Sequence, residues 1–126
     1  MRFAYIQYPM YCLDSTCIAT GKKVKFLTAV LNSRVSHYQL FDLAPKTGTG
    51  DLIVSVQALE PLLVPPITKA NQHIAEQIEM QVDKILDAKH TDPEVDTSDL
   101  EDEIDKLVYE LYNLTEDEIA IVEGNV

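Results

Sequence analysis

Five cations in the front of the chain, Lys22, Lys23, Lys25, Arg34 and Lys46, are the residues whose type and spacing could do chemistry. Lys46 opens the loop Lys46-Thr47-Gly48-Thr49-Gly50, where Thr47, Thr49 and the loop amides add further polar groups. Cationic side chains and exposed loop amides are the groups that hold phosphate oxygens. That chemistry is the binding of a polyanion, with no bond made or broken. The same residues also fit an ordinary solvated face, because charged side chains are mostly exposed in any soluble domain.

No other constellation carries a reaction. There is no H-E-x-x-H, no G-x-S-x-G, no phosphate loop of the G-x-x-x-x-G-K-[ST] kind and no Asn/Asp-Pro-Pro-aromatic tetrapeptide. His37, His73 and His90 are far apart and read as surface residues. Glu101, Asp102, Glu103 and Asp105 lack the alternating ligands and central glycine of a calcium loop, and lie on a helix with an apolar stripe. Cys12 and Cys17 form a lone C-x4-C pair, poor evidence for zinc, and the expectation is two reduced thiols. Neither a metal nor a cofactor is expected in this chain.

The net charge of −11 is divided unevenly. Residues 1–70 hold seven Lys/Arg against four Asp/Glu, and residues 71–126 hold three Lys against 17 Asp/Glu. The front is therefore +3 and the back −14. A uniformly acidic protein is repelled by the phosphate backbone, whereas a divided one can still present a basic face. No stretch approaches the roughly 20 apolar residues of a membrane span, and the mixed residues after Arg2 do not resemble a secretory signal. A cytoplasmic protein with no membrane partner is expected.

These groups must be positioned by the elements around them. Aromatic and β-branched residues predict strands over 3–8 and 15–20, and 52–54 is a further strand candidate. Val24, Leu27, Leu31, Val35 and Tyr38 predict one helix, with Asn32-Ser33 an unfavourable pair inside it. Lys22, Lys23 and Lys25 fall in its first turn, where the helix dipole disfavours cations, so an external group must compensate them. Ser55 can cap a short turn over 56–59, and Pro65-Pro66 mark a junction.

Beyond the junction, Thr68 can cap a helix of about twenty residues striped by Ile74, Ile78, Val82, Ile85 and Leu86. Ser98 with Glu101 and Thr115 with Glu118 read as two capping boxes. A link of about ten residues lets the two longer helices pack antiparallel. The fold expected is α+β. Residues 1–66 form a small mixed region of short strands plus one helix, and residues 67–126 an acidic antiparallel helical hairpin with a short C-terminal helix.

The order of these pieces resembles a known family. Asp14-Ser15-Thr16, a Gly-Lys-Lys turn, Leu31-Asn32-Ser33 within a helix, the Lys-Thr-Gly-Thr-Gly loop, and Leu59 to Ile67 ahead of a long helix follow one another. They resemble the C-terminal specificity region of TaqI-type adenine-specific DNA methyltransferases and type IIG restriction-modification enzymes. The ending LEDEIDKLVYELYNLTEDEIAIVEG is the most specific part of the likeness.

The resemblance implies a C-terminal piece of a larger enzyme, whose upstream domain binds S-adenosylmethionine and methylates adenine, in some members beside a nuclease. Residues 1–66 would then be part of a DNA target-recognition region. Lys22, Lys23, Lys25, Arg34, Lys46, Thr47 and Thr49 are its expected contacts to double-stranded DNA, and Ser33 and Gln39 could also reach base edges. The helical half would dock on the upstream methyltransferase domain or a second subunit through Ile74, Ile78, Val82 and Ile85. The alternative is an acidic helical protein-interaction module or DNA mimic.

Overall fold

A computed structural model describes residues 3–13, 16–50 and 53–125. Among them are six helices: α1 (Val24–Asn32), α2 (Arg34–Leu43), α3 (Val56–Leu59), α4 (Gln72–Thr91), α5 (Ser98–Leu111) and α6 (Glu116–Val122). No strand occurs among the described residues, so the α+β expectation is corrected to a helical fold. Residues 3–8 and 16–20 have strand composition but no ladder partner, and strand propensity acts only where a neighbouring strand supplies cross-strand contacts. Residues 53–54 form no strand either. Ser15 and Leu52, which were to begin two of the expected strands, lie outside the described residues, as does Asp14.

The single helix expected over Val24 to Tyr38 is two helices. Ser33 is extended (φ −71°, ψ 161°) between them. Its side-chain oxygen accepts from the Ser36 N–H, while its hydroxyl donates to the Val30 carbonyl at 2.6 Å. One serine thus closes α1 and opens α2. Asn32 beside it turns outward: its side chain accepts from the Phe3 N–H and donates to the Phe3 carbonyl, both at 2.8 Å. The pair that is unfavourable inside a helix is a helix boundary and an anchor for the N-terminal arm. Ser33→Ala is expected to lower stability by about 0.5–2 kcal/mol. A lower urea midpoint with an unchanged slope is the measurement that shows it.

The break rotates the apolar face. Phe26, Ala29 and Val30 of α1 and Val35 of α2 are buried, whereas Tyr38 of the expected stripe is exposed. They pack on Ile74, Ala75, Ile78 and Val82 of α4 and on Ile104, Val108, Tyr109 and Leu111 of α5. A smaller core of Leu40, Ala44 and Ala58 holds α3 against the end of α2, with Phe3, Leu59 and Leu62 at its edge. The two regions divided at the prolines therefore share one main core.

Helix α4 has the twenty residues its stripe requires. Its N-cap is Asn71, not Thr68; the Asn71 side chain instead accepts from the Thr68 N–H and donates to the Pro66 carbonyl. The link to α5 is shorter than expected, residues 92–97. Lys89 bridges it by donating to the Val95 carbonyl at 2.6 Å.

The Ser98–Glu101 box does not form. Thr97 is the N-cap and donates to the Glu101 carboxylate, while Ser98 turns back onto Asp96. The Thr115–Glu118 box is complete, and α6 is followed by Gly124 in the left-handed region (φ 75°). Ile119 and Val122 of α6 meet the core, whereas Ile121 faces out. No helix among the described residues is long and apolar enough to cross a membrane.

Candidate nucleic-acid interface

The cations of the front region fall into three groups by their partners. Lys23 and Lys25 at the start of α1 pair with α4: Lys23 Nζ lies 3.3 Å from Glu79 and Lys25 Nζ 2.7 Å from Asp83. These carboxylates are the external compensation that cations in a first helical turn require. The hydrogen bond to Asp83 raises the Lys25 pKa above its ordinary value. Lys25 also sits 5.8 Å from the centre of the Tyr5 ring, tying the arm to the same spot. Lys22 is exposed, and among the described residues it has no carboxylate partner.

Arg34 begins α2, beyond the break at Ser33. Its guanidinium meets Asp102 at 3.3 Å, Asp105 at 3.3 Å and Glu123 at 3.6 Å. Its main-chain N–H also donates to Asp105 at 2.9 Å. Partial burial opposes the Arg34 charge, but Asp105, Tyr109, Asp102 and Glu123 outweigh it and raise its pKa.

Asp105 is pushed above the usual carboxylate range, because its burial outweighs the N–H bond and the guanidinium. Tyr109, which donates to Glu123 at 3.2 Å, is pushed up to about 12 by burial and by the Asp105 and Glu123 carboxylates. The cluster joins α2, α5 and the end of α6 around a cleft of about 200 Å³.

Lys46, Thr47 and Thr49 form a third group beyond α2. Lys46 Nζ donates to the Phe41 carbonyl at 2.6 Å and stands 4.4 Å over the Phe41 ring. The Thr47 and Thr49 hydroxyls are 2.9 Å apart, and the Gly50 N–H donates to the Thr47 carbonyl. Ile53 N–H closes the loop on the Pro45 carbonyl at 2.7 Å. The result is a tight, exposed turn fastened to the end of α2.

The seven expected contacts therefore differ in their partners: Lys23 and Lys25 meet α4 carboxylates, Arg34 meets Asp102, Asp105 and Glu123, and Lys46, Thr47 and Thr49 bond within residues 41–50. Ser33 and Gln39 are occupied as well: Ser33 caps α2, and Gln39 exchanges two hydrogen bonds with the Leu63 backbone. The Ile74, Ile78, Val82 and Ile85 stripe, expected to dock on another domain, is spent on the internal core. Ile78 has no exposed surface, which corrects that expectation.

The spacing of Asp102 and Asp105 on a striped helix did not point to their pairing with Arg34. One signal was available: Asp105 and Tyr109 are four apart and flank the apolar stripe of α5, the edge of a buried face.

A second concavity, about 610 Å³, lies between the arm, α1, α4 and α5. Ala29, Val82, Ile85 and Ile104 form its floor, with Lys89, Glu101 and Asp102 at its rim. Among the described residues no three His, Cys, Asp or Glu side chains gather as a metal site requires. No family model, curated protein or solved structure matches the chain.

Proposed function

We propose that this chain is the C-terminal part of a DNA restriction-modification methyltransferase, and that it contributes DNA recognition and docking to an enzyme whose S-adenosylmethionine chemistry lies elsewhere. The supporting observation is the N-terminal arm. Ile6, Tyr8, Met10, Tyr11, Leu13 and Ile18 are large apolar residues exposed on it, while the helices behind it are sealed around their own core. Exposed apolar surface on this scale belongs to a contact with another surface. The order of segments that resembles the specificity region supports the same reading. Docking then uses the arm, since the α4 stripe is already covered.

The phosphate-facing groups in this reading are Lys22 and the loop of residues 45–50. Lys23 and Lys25 join them by exchanging carboxylate for phosphate. Such exchange is inexpensive, because exposed ion pairs contribute only about 0–1 kcal/mol. Arg34 stays in its carboxylate cluster and acts as a brace.

Two to four such contacts predict weak duplex binding that falls roughly 10- to 150-fold between about 50 and 200 mM salt. Fluorescence anisotropy of the full chain with duplex DNA across a salt series tests it. Binding that is absent, or indifferent to salt, removes the phosphate role. The exposed carboxylates of α5 and α6, including Asp99, Glu103 and Glu116, would then favour the acidic interaction module.

A further inference from the structure

We propose that the seat of the N-terminal arm docks the same segment of a second copy of this chain, so that two copies exchange arms. The seat engages one stretch of backbone and two aromatic rings. The Asn32 carboxamide accepts from the Phe3 N–H and donates to the Phe3 carbonyl, both at 2.8 Å, the pair of bonds that a neighbouring strand would make. Phe3 and Tyr5 are half-buried while Ala4 between them is exposed, as side chains alternate along an extended segment. Phe3 packs at the edge of the Leu40, Ala44 and Ala58 core, and the Tyr5 ring lies beside Lys25.

Three observations make the occupant a second copy. The segment seen to fit the seat is the chain's own. No arm residue belongs to the main core, whose buried residues come from α1, α2, α4 and α5, so the seat outlasts the departure of its arm. Beyond Tyr5, the side chains of Ile6, Tyr8, Met10, Tyr11 and Leu13 are exposed. Two arms bring on the order of 1,000 Å² of such surface together, and a stable interface buries about 1,200–2,000 Å² over both partners. Residues 6–13 can span about 26 Å when extended, against a radius of gyration of about 14 Å for a domain of this length. The arm therefore reaches a neighbour. Exchanged arms make the same contacts at each seat, so nothing is lost there and the covering of the arms is gained.

Within one chain the arm competes for its own seat at an effective concentration on the order of 1 mM. Exchange is therefore concentration-dependent, and it needs the covering of Tyr8 and Tyr11 in addition to the seat. This deepens the docking half of the reading above, and rests on it, by naming the surface that the arm meets. DNA binding is not required.

Sedimentation equilibrium of the full chain without DNA is expected to give a mass approaching twice 14.2 kDa as concentration rises to about 1 mM. Chains carrying the photo-cross-linker p-benzoylphenylalanine in place of Tyr5 are then prepared with and without heavy nitrogen, mixed equally and irradiated. Ala4, exposed in the same segment, is the second position for the label. Cross-links from the arm to α1 or α4 are expected to carry one label of each kind in about half of the pairs at full exchange. Tyr8→Ser with Tyr11→Ser is expected to weaken self-association about tenfold or more and to return the cross-links to single chains. A chain that stays monomeric, which leaves the arm to an unrelated surface, overturns the proposal. So do a dimer whose cross-links stay within single chains and a dimer unmoved by the double substitution. Salt-dependent DNA binding is scored separately: its loss with arm exchange retained removes the phosphate role alone, and the reverse removes the exchange alone.

Discussion

Ile78→Ala is expected to destabilise the protein by about 2–5 kcal/mol. Ile78 sits in α4 with no exposed surface, in the cluster shared with Phe26 and Val30 of α1 and Ile104 and Val108 of α5. Removing its outer carbons forfeits their transfer energy and leaves a cavity that three helices cannot all close. A domain of ordinary stability has only about 5–15 kcal/mol in total, so the loss is a large fraction. The melting temperature should fall by roughly 10 °C. Met80, on the same helix but 58% exposed, is the control. Met80→Ala should stay within about 0.5 kcal/mol. Equal, small effects at both positions would show that α4 is not the centre of the core.

Arg34→Ala has the second large effect. The Asp105 side chain is only 13% exposed and lies beside Asp102 and Glu123, with Arg34 as the cation facing all three. Stripping the cation from a buried pair costs about 3–5 kcal/mol, and the half-exposed guanidinium reduces that to about 1–3 kcal/mol through solvent screening.

The Asp105 pKa is already raised in the folded chain by burial. In the window between its unfolded and folded pKa values the folded state holds more protons, so this group's contribution to stability falls as pH rises through that window. Without Arg34 the folded pKa climbs further, the window widens upward, and acidification restores more stability to Arg34→Ala than to the parent. Asp105→Asn in the Arg34→Ala background should recover about 1–2 kcal/mol, since a neutral amide oxygen still accepts the N–H of residue 34 without a buried charge. Urea denaturation of the four proteins at two pH values measures the coupling. Additive losses would mean that the cluster is not an energetic unit.

Helical features set by neighbours in sequence were legible. The stripe from Ile74 to Leu86 foretold a helix of about the right length, and Thr115 with Glu118 foretold a cap that forms. Both rest on contacts three or four residues apart, which spacing displays directly. Strand composition in residues 3–8 misled, because a strand exists only with a partner and the arm's terminal link is to the Asn32 side chain. The break at Ser33 was visible as an odd pair, but its meaning needed Ser36 and Phe3 in place. Ser98 and Glu101 had the spacing of a box, yet Thr97 and Asp96 competed for the same groups and won.

The residues by themselves determined the helical stripes, one genuine capping box and the division of charge into +3 and −14. Tertiary structure decided where that charge goes. Lys23 finds Glu79 across 56 residues, and Arg34 finds Asp102 across 68. Helix periodicity and caps are satisfied within one or two turns, so composition and spacing disclose them. An ion pair across the core has no spacing rule, because it exists only after burial of Phe26, Val30 and Ile78 has brought α1 against α4 and α5.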